Sequence, residues 1–130
     1  MDRLLAEAQE LFPYTQALRR DFHRFPELGF QEVRTSGIVA RQLQELGIEF
    51  SSGIGRTGIA ALIEGASPGR NVLLRVDMDA LPIVEDTGAE YASQNHGVMH
   101  ACGHDAHTAI GLTVARLLHA HRLDFSGSVK

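Results

Sequence analysis

Apolar residues near the start of the chain recur on one side of a helix. From Asp2 to about Phe25, Leu4, Leu5, Ala8, Leu11 and Phe12, then Leu18, Phe22 and Phe25, follow at spacings of three and four, the period that aligns side chains along an α-helix. Pro13 has no N–H for the preceding turn, so the helix is expected to break or bend there. A second amphipathic stretch, from about Gln31 to Leu46, puts Val39, Leu43 and Leu46 on one face. Gly47 is well placed to end it in a left-handed cap, and Pro26 to Phe30 forms the connection.

After Gly47 the period shortens. Gly58 to Gly65 (GIAALIEG) and Asn71 to Asp79 (NVLLRVDMD) are β-prone runs, and the ASPGR between them holds the turn residues Pro68 and Gly69. The pattern predicts an antiparallel hairpin. Val72, Leu73, Leu74 and Val76 are nearly continuous, as in a strand buried on both faces, which would set Asp77 and Asp79 at the end of a central strand, where ligand sites of open α/β sheets gather. Leu81 to Gly103 reads as a long polar loop, a length usually tied to function. Asp105 to His121 reads as a third helix, apolar around most of its circumference and therefore covered by other elements. Ser128 to Lys130 begins a further strand. No internal repeat or low-complexity segment interrupts this order.

Composition narrows the function classes. Hydrophobic residues make up 44% of the 130 residues, enough for the core of one domain. Twelve basic residues against sixteen acidic ones leave a net charge of −4 with no basic run, so neither nucleic acid nor an anionic membrane is the expected partner. The first residues, MDRLLAEAQELF, carry acidic side chains and lack a long apolar core, unlike a signal peptide. The sole cysteine rules out an internal disulfide and fits a reducing compartment. A cytoplasmic protein acting on small molecules is the expectation.

The chemistry concentrates in His96 to Ala109, HGVMHACGHDAHTA, which holds four of the seven histidines and the only cysteine. In Cys102-Gly103-His104 a thiolate and an imidazole two residues apart on a turn could bind one metal ion or two adjacent ones, with Gly103 free to adopt the backbone angle required. A structural zinc centre would need a second spaced ligand pair, which the sequence lacks, so the cluster fits an open, catalytic metal site better. Two other readings stand beside it: Cys102 as a nucleophile activated by His100 or His107, and a packed cysteine beside hydrogen-bonded histidines. Asp77 and Asp79 in RVDMDALP alternate along an extended run, so only one would face a given pocket. Either could accept the free N–H of a metal-bound histidine and fix its orientation. Gly53 to Gly58 spells G-x-G-x-x-G, but a β-prone run follows it where a dinucleotide site needs a helix. His23 with Arg19, Arg20 and Arg24 reads as a solvated basic face with a capping histidine, and His119 and His121 as partners of a helix dipole.

RRDFHRFPELGFQE, the run from LLRVDMDALP through HACGHDAHTAIGL, and their order resemble the N-terminal part of the metal-dependent amidohydrolases that include hippurate hydrolase, N-acyl-amino-acid deacylases, N-acetyldiaminopimelate deacetylase and plant auxin-conjugate hydrolases. The resemblance spans essentially the whole chain. It implies an α/β fold: residues 1–130 as the N-terminal portion of a single zinc-peptidase-like α/β/α catalytic domain with a mixed sheet, without the satellite dimerisation domain. It implies two divalent ions (Mn2+, Zn2+, Co2+ or Ni2+), with Cys102 and His104 as metal ligands, Asp79 in the catalytic, ligand-orienting position, and Asp77, also in the catalytic set, where relatives outside this subgroup place a histidine ligand. It also implies hydrolysis of N-acyl amino acids in a longer, often homodimeric enzyme whose paired glutamates and further histidines lie past Lys130. The 130 residues alone would then show little activity. A non-catalytic metal-binding module is the remaining alternative.

Overall fold

The computed structural model describes residues 2–130. Helix α1 (Asp2–Glu10) and helix α2 (Phe12–Arg24) follow almost without interruption, with Pro13 in the first turn of α2. The single predicted helix is thus two, bent where the proline removes a ladder hydrogen bond. Helix α3 (Val33–Glu45) ends at Leu46. Beyond it Gly47 has φ 71°, and the bonds Gly47 N–H to Gln44 O and Ile48 N–H to Leu43 O, both 3.0 Å, close the terminus. This is the paired-bond cap that a left-handed residue allows, and it carries Ile48 into the core beside Leu43. At the other end of α3 the Glu27 carboxylate accepts the N–H groups of Arg34 and Thr35, at 2.9 and 2.8 Å.

Strand β1 (Glu49–Ile54) turns through Gly55 to Thr57 into β2 (Gly58–Glu64); a long extended segment contains β3 (Asn71–Val72); helix α4 (His104–Ala120) leads through a 3-10 turn at Arg122–Asp124 to β4 (Ser128–Val129). The sheet order is β1-β2-β4-β3, with β2 antiparallel to β1 and β4, and β3 parallel to β4. The G-x-G-x-x-G stretch is therefore a hairpin turn, and the first sheet pairing is β1 with β2.

Two expectations fail here for one reason. Gly58–Gly65 and Asn71–Asp79 do not form a hairpin, because β4 lies between them: Gly65 N–H bonds to Gly127 O, Gly127 N–H to Ser67 O and Ser128 N–H to Arg70 O. Pro68 and Gly69 make room for this distant segment instead of reversing the chain. The second run is also not buried on both faces. Only Asn71–Val72 pair as a strand, at the sheet edge, and Val72, Leu73, Leu74 and Val76 are exposed. The expected mixed sheet is present, as is the strand beginning at Ser128.

The core lies where α2, α3 and α4 meet β2: Phe22, Leu43, Ile48, Ile63, Ala109 and Leu112 are buried together. Truncating a fully buried phenylalanine such as Phe22 costs about 3–5 kcal/mol. Helix α4 buries Thr108, Ala109, Leu112 and Thr113, packs Ala115 and Leu118 against the core and leaves Ile110 exposed. An apolar cleft of about 320 Å3 follows its flank, between Leu74 and Val76 on one side and Gly111 and Ala115 on the other. No helix of the described residues is long and apolar enough to cross a membrane.

Candidate metal centre

The start of α4 carries the chemistry. Gly103, with φ 90°, precedes the helix, and His104 and His107 occupy its first turn three residues apart, a spacing that puts both on one face. Their rings stack with centroids 5.5 Å apart. Facing them is the chain after β3, tied to the helix by the Thr108 hydroxyl, which donates to Asp77 O at 2.8 Å. Asp77, His104 and His107 each offer a ligand atom within 4.8 Å of the others.

Protonation geometry prepares these donors. His104 Nδ1 lies 2.9 Å from the Asp79 carbonyl oxygen and 3.0 Å from Asp79 Oδ1. A carbonyl only accepts, so Nδ1 carries the hydrogen, and in the neutral ring Nε2 keeps its lone pair. That atom points toward Asp77, 3.6 Å from Oδ2. Asp77 Oδ1 in turn accepts from His107 Nδ1 at 2.7 Å. This bond, with the positive potential of the histidines and Arg75, outweighs burial and holds the Asp77 carboxyl below its ordinary range.

Asp77 and Asp79 therefore both lie beside His104, Asp79 bonded at Nδ1 and Asp77 Oδ2 3.6 Å from Nε2. The expectation that only one could face the site assumed a regular strand as far as Asp79, but the last bond to the sheet is from Leu74 N–H to Lys130 O and strand alternation no longer applies at Asp77. Cys102 is exposed on the turn before α4 and lies outside the three-residue group. His107 belongs to the group, although the sequence marked it only as a possible activator of Cys102 and not as a ligand; its spacing from His104 on a predicted helix was the available signal. His100, only 4% exposed, has no partner at either ring nitrogen among the described residues, and burial lowers its pKa.

Within the basic stretch on α2, Arg20 is exposed, as a solvated face requires, but His23 is not. His23 is buried, with Nδ1 2.7 Å from Asp105 Oδ2 and Nε2 3.1 Å from Glu85 Oε1. Arg19 Nε lies 2.8 Å from the same Asp105 oxygen. These partners are 62 and 82 residues away from His23, beyond any local pattern. His121, closing α4, pairs with Asp124 and with Glu7 of α1.

Residues 73–130 match the profile described as peptidase family M20/M25/M40. Over these residues the chain resembles that family. Its fold extends over the whole chain: a putative aminohydrolase from methicillin-resistant Staphylococcus aureus superposes with a TM-score of 0.93 at 42% identity, over 99% of this chain and 35% of that one. The Bacillus subtilis YXEP protein, titled a dinuclear metal binding peptidase of the M20 family, superposes at 0.88 and 42% identity over 93% of this chain and 34% of its own. The N-acyl-L-amino acid amidohydrolase of Geobacillus stearothermophilus is 46% identical over 114 residues, 88% of this chain and 31% of that protein. The chain spans about a third of the length of the curated relatives it matches. It thus shares their fold over about a third of the length of such proteins.

Proposed function

We propose that the chain supplies part of the metal centre of a hydrolase that cleaves the amide of N-acyl amino acids, hippurate-like compounds among them, to a carboxylate and a free amino acid. The observation that carries this reading is the convergence of Asp77, His104 and His107 within 4.8 Å, in a chain similar to an N-acyl-L-amino acid amidohydrolase and to a dinuclear metal binding peptidase. The donor set fits the group: one carboxylate and two imidazoles, with a lone pair free at His104 Nε2, suit borderline divalent ions such as Zn2+, Mn2+, Co2+ or Ni2+.

In this reading His104 and Asp77 hold an ion, His107 lends a further donor, and Cys102 supplies a thiolate from the adjoining turn. Asp79 keeps the proton on His104 Nδ1 and so directs Nε2 outward, an orienting role that metal-bound histidines commonly need. Bound divalent ions polarise an acyl oxygen and make a coordinated water acidic enough to act near neutral pH. Residues 1–130 form the N-terminal portion of one catalytic domain, and hydrolysis needs the general base and further ligands that the resemblance puts in the remaining two thirds. A cytoplasmic homodimer is part of the same proposal, supported by the unpaired cysteine and by what the family resemblance implies.

The test is amino-acid release from N-acetyl and N-benzoyl amino acids by the protein at the length of its relatives. Chelator is expected to abolish it and Mn2+, Zn2+, Co2+ or Ni2+ to restore it. Activity indifferent to chelator but lost on thiol alkylation would replace the reading with a cysteine hydrolase.

A further inference from the structure

We infer that His23 is a positioning residue for the metal ligands, acting through Asp105; the inference rests on the metal reading above. Arg19 and His23 are four residues apart on α2, hence on one face, and both reach Asp105. Asp105 Oδ2 lies 2.7 Å from one ring nitrogen of His23 and Glu85 Oε1 3.1 Å from the other. The ring is a two-ended clamp between the first turn of α4 and the long loop.

Both ends are themselves fixed. Burial pushes the Glu85 carboxyl up, but bonds from Thr87 Oγ1, Ser93 N–H and His23 outweigh it and hold the group ionised. Asp105 is fully buried, and Arg19 and His23 share its Oδ2. Arg19 and His23 thus share one acidic side chain, and His23 also reaches a second, Glu85. Tyr91 closes the clamp, with its ring 5.4 Å from His23 and the guanidinium groups of Arg19 and Arg20 at 4.9 and 5.1 Å.

The consequence follows from helix geometry. Asp105 lies between His104 and His107 in one turn, so holding it fixes the rotation of that turn about the helix axis. That rotation decides whether both imidazoles meet Asp77. A buried leucine at position 23 could fill space, but it could not set this angle.

Co2+ alone, titrated into the purified protein and followed by its visible absorption, tests the inference. His23→Gln and Asp105→Asn are each expected to weaken Co2+ binding about tenfold and to change the spectrum, and the double variant to be no worse than either single one. Phe22→Leu, which loosens the adjacent core without touching the clamp, is expected to lower Tm while leaving Co2+ affinity unchanged. If His23→Gln does not fold, Arg19→Gln, at a partly exposed position, is expected to show a smaller loss in the same direction. Wild-type affinity and spectrum in folded His23→Gln, or in Arg19→Gln where that variant stands in, would overturn the inference alone, as would an equal affinity loss in Phe22→Leu. A wild-type protein that takes up no Co2+ would overturn the metal reading and this inference with it.

Discussion

His104 and Asp79 are joined twice: the ring Nδ1–H faces both the backbone carbonyl and the carboxylate of Asp79, at 2.9 and 3.0 Å. One residue thereby fixes the tautomer and the ring plane of the other. In Asp79→Ala the carbonyl contact survives and the carboxylate contact is lost. Metal affinity is expected to fall about 10- to 100-fold, with little change in Tm because Asp79 is partly exposed. Isothermal titration with Zn2+ checks it; undiminished affinity would remove Asp79 from the orienting role.

Cys102 and His107 can be separated by stoichiometry. Cys102→Ala is expected to lower metal content and activity together in the protein at its relatives' length, and His107→Ala to lower metal content. Metal analysis after dialysis reads both. Full activity with unchanged stoichiometry in Cys102→Ala would take the thiol out of the ligand set.

The ion pair between His121 and Glu7 ties the end of α4 to α1. The Glu7 hydrogen bond, then that of Asp124, raises the His121 pKa above 6.5, and the His121 bond lowers Glu7 below 4.5. A raised histidine contributes stability that is complete below 6.5 and fades as pH rises through its folded pKa; a lowered carboxylate contributes above 4.5 and fades on acidification. The Tm advantage of wild type over Glu7→Gln is therefore expected to be largest between pH 4.5 and 6.5 and to shrink toward both acid and alkaline pH. A difference independent of pH would assign the contact no electrostatic part.

Gly127 admits no side chain. Its φ is 87°, and a Cβ there would lie 1.9 Å from the Arg70 carbonyl oxygen, so Gly127→Ala must push apart the chain segments that seat β4 between β2 and β3. A loss of at least about 2 kcal/mol is expected, or roughly 8 °C in Tm for a domain of this size. Thermal unfolding followed by circular dichroism measures it.

The sequence made legible what local rules decide. The bend at Pro13, the cap at Gly47, the start of α4 near His104 and the long loop before it all follow from residues acting within a turn or two of themselves. The false hairpin shows the limit: Pro68 and Gly69 are turn residues, yet β4, contributed by residues 128–129, takes the place between the two runs. His23 shows the same limit in the site. Its charge pattern with Arg19, Arg20 and Arg24 is that of a wet helix face, and only tertiary contacts with Glu85 and Asp105 turn it inward. Asp77 and Asp79 were found from their motif, but their division between the two ring nitrogens of His104 depends on a chain that has already left the sheet.

The central claim is that the first turn of α4 presents His104 Nε2 to a divalent ion. Anomalous scattering from crystals grown with Zn2+ measures this directly. The account predicts a peak about 2.0–2.1 Å from His104 Nε2, with Nδ1 still bonded to Asp79. Density for the ion elsewhere, with His104 Nε2 bonded only to protein, would contradict it.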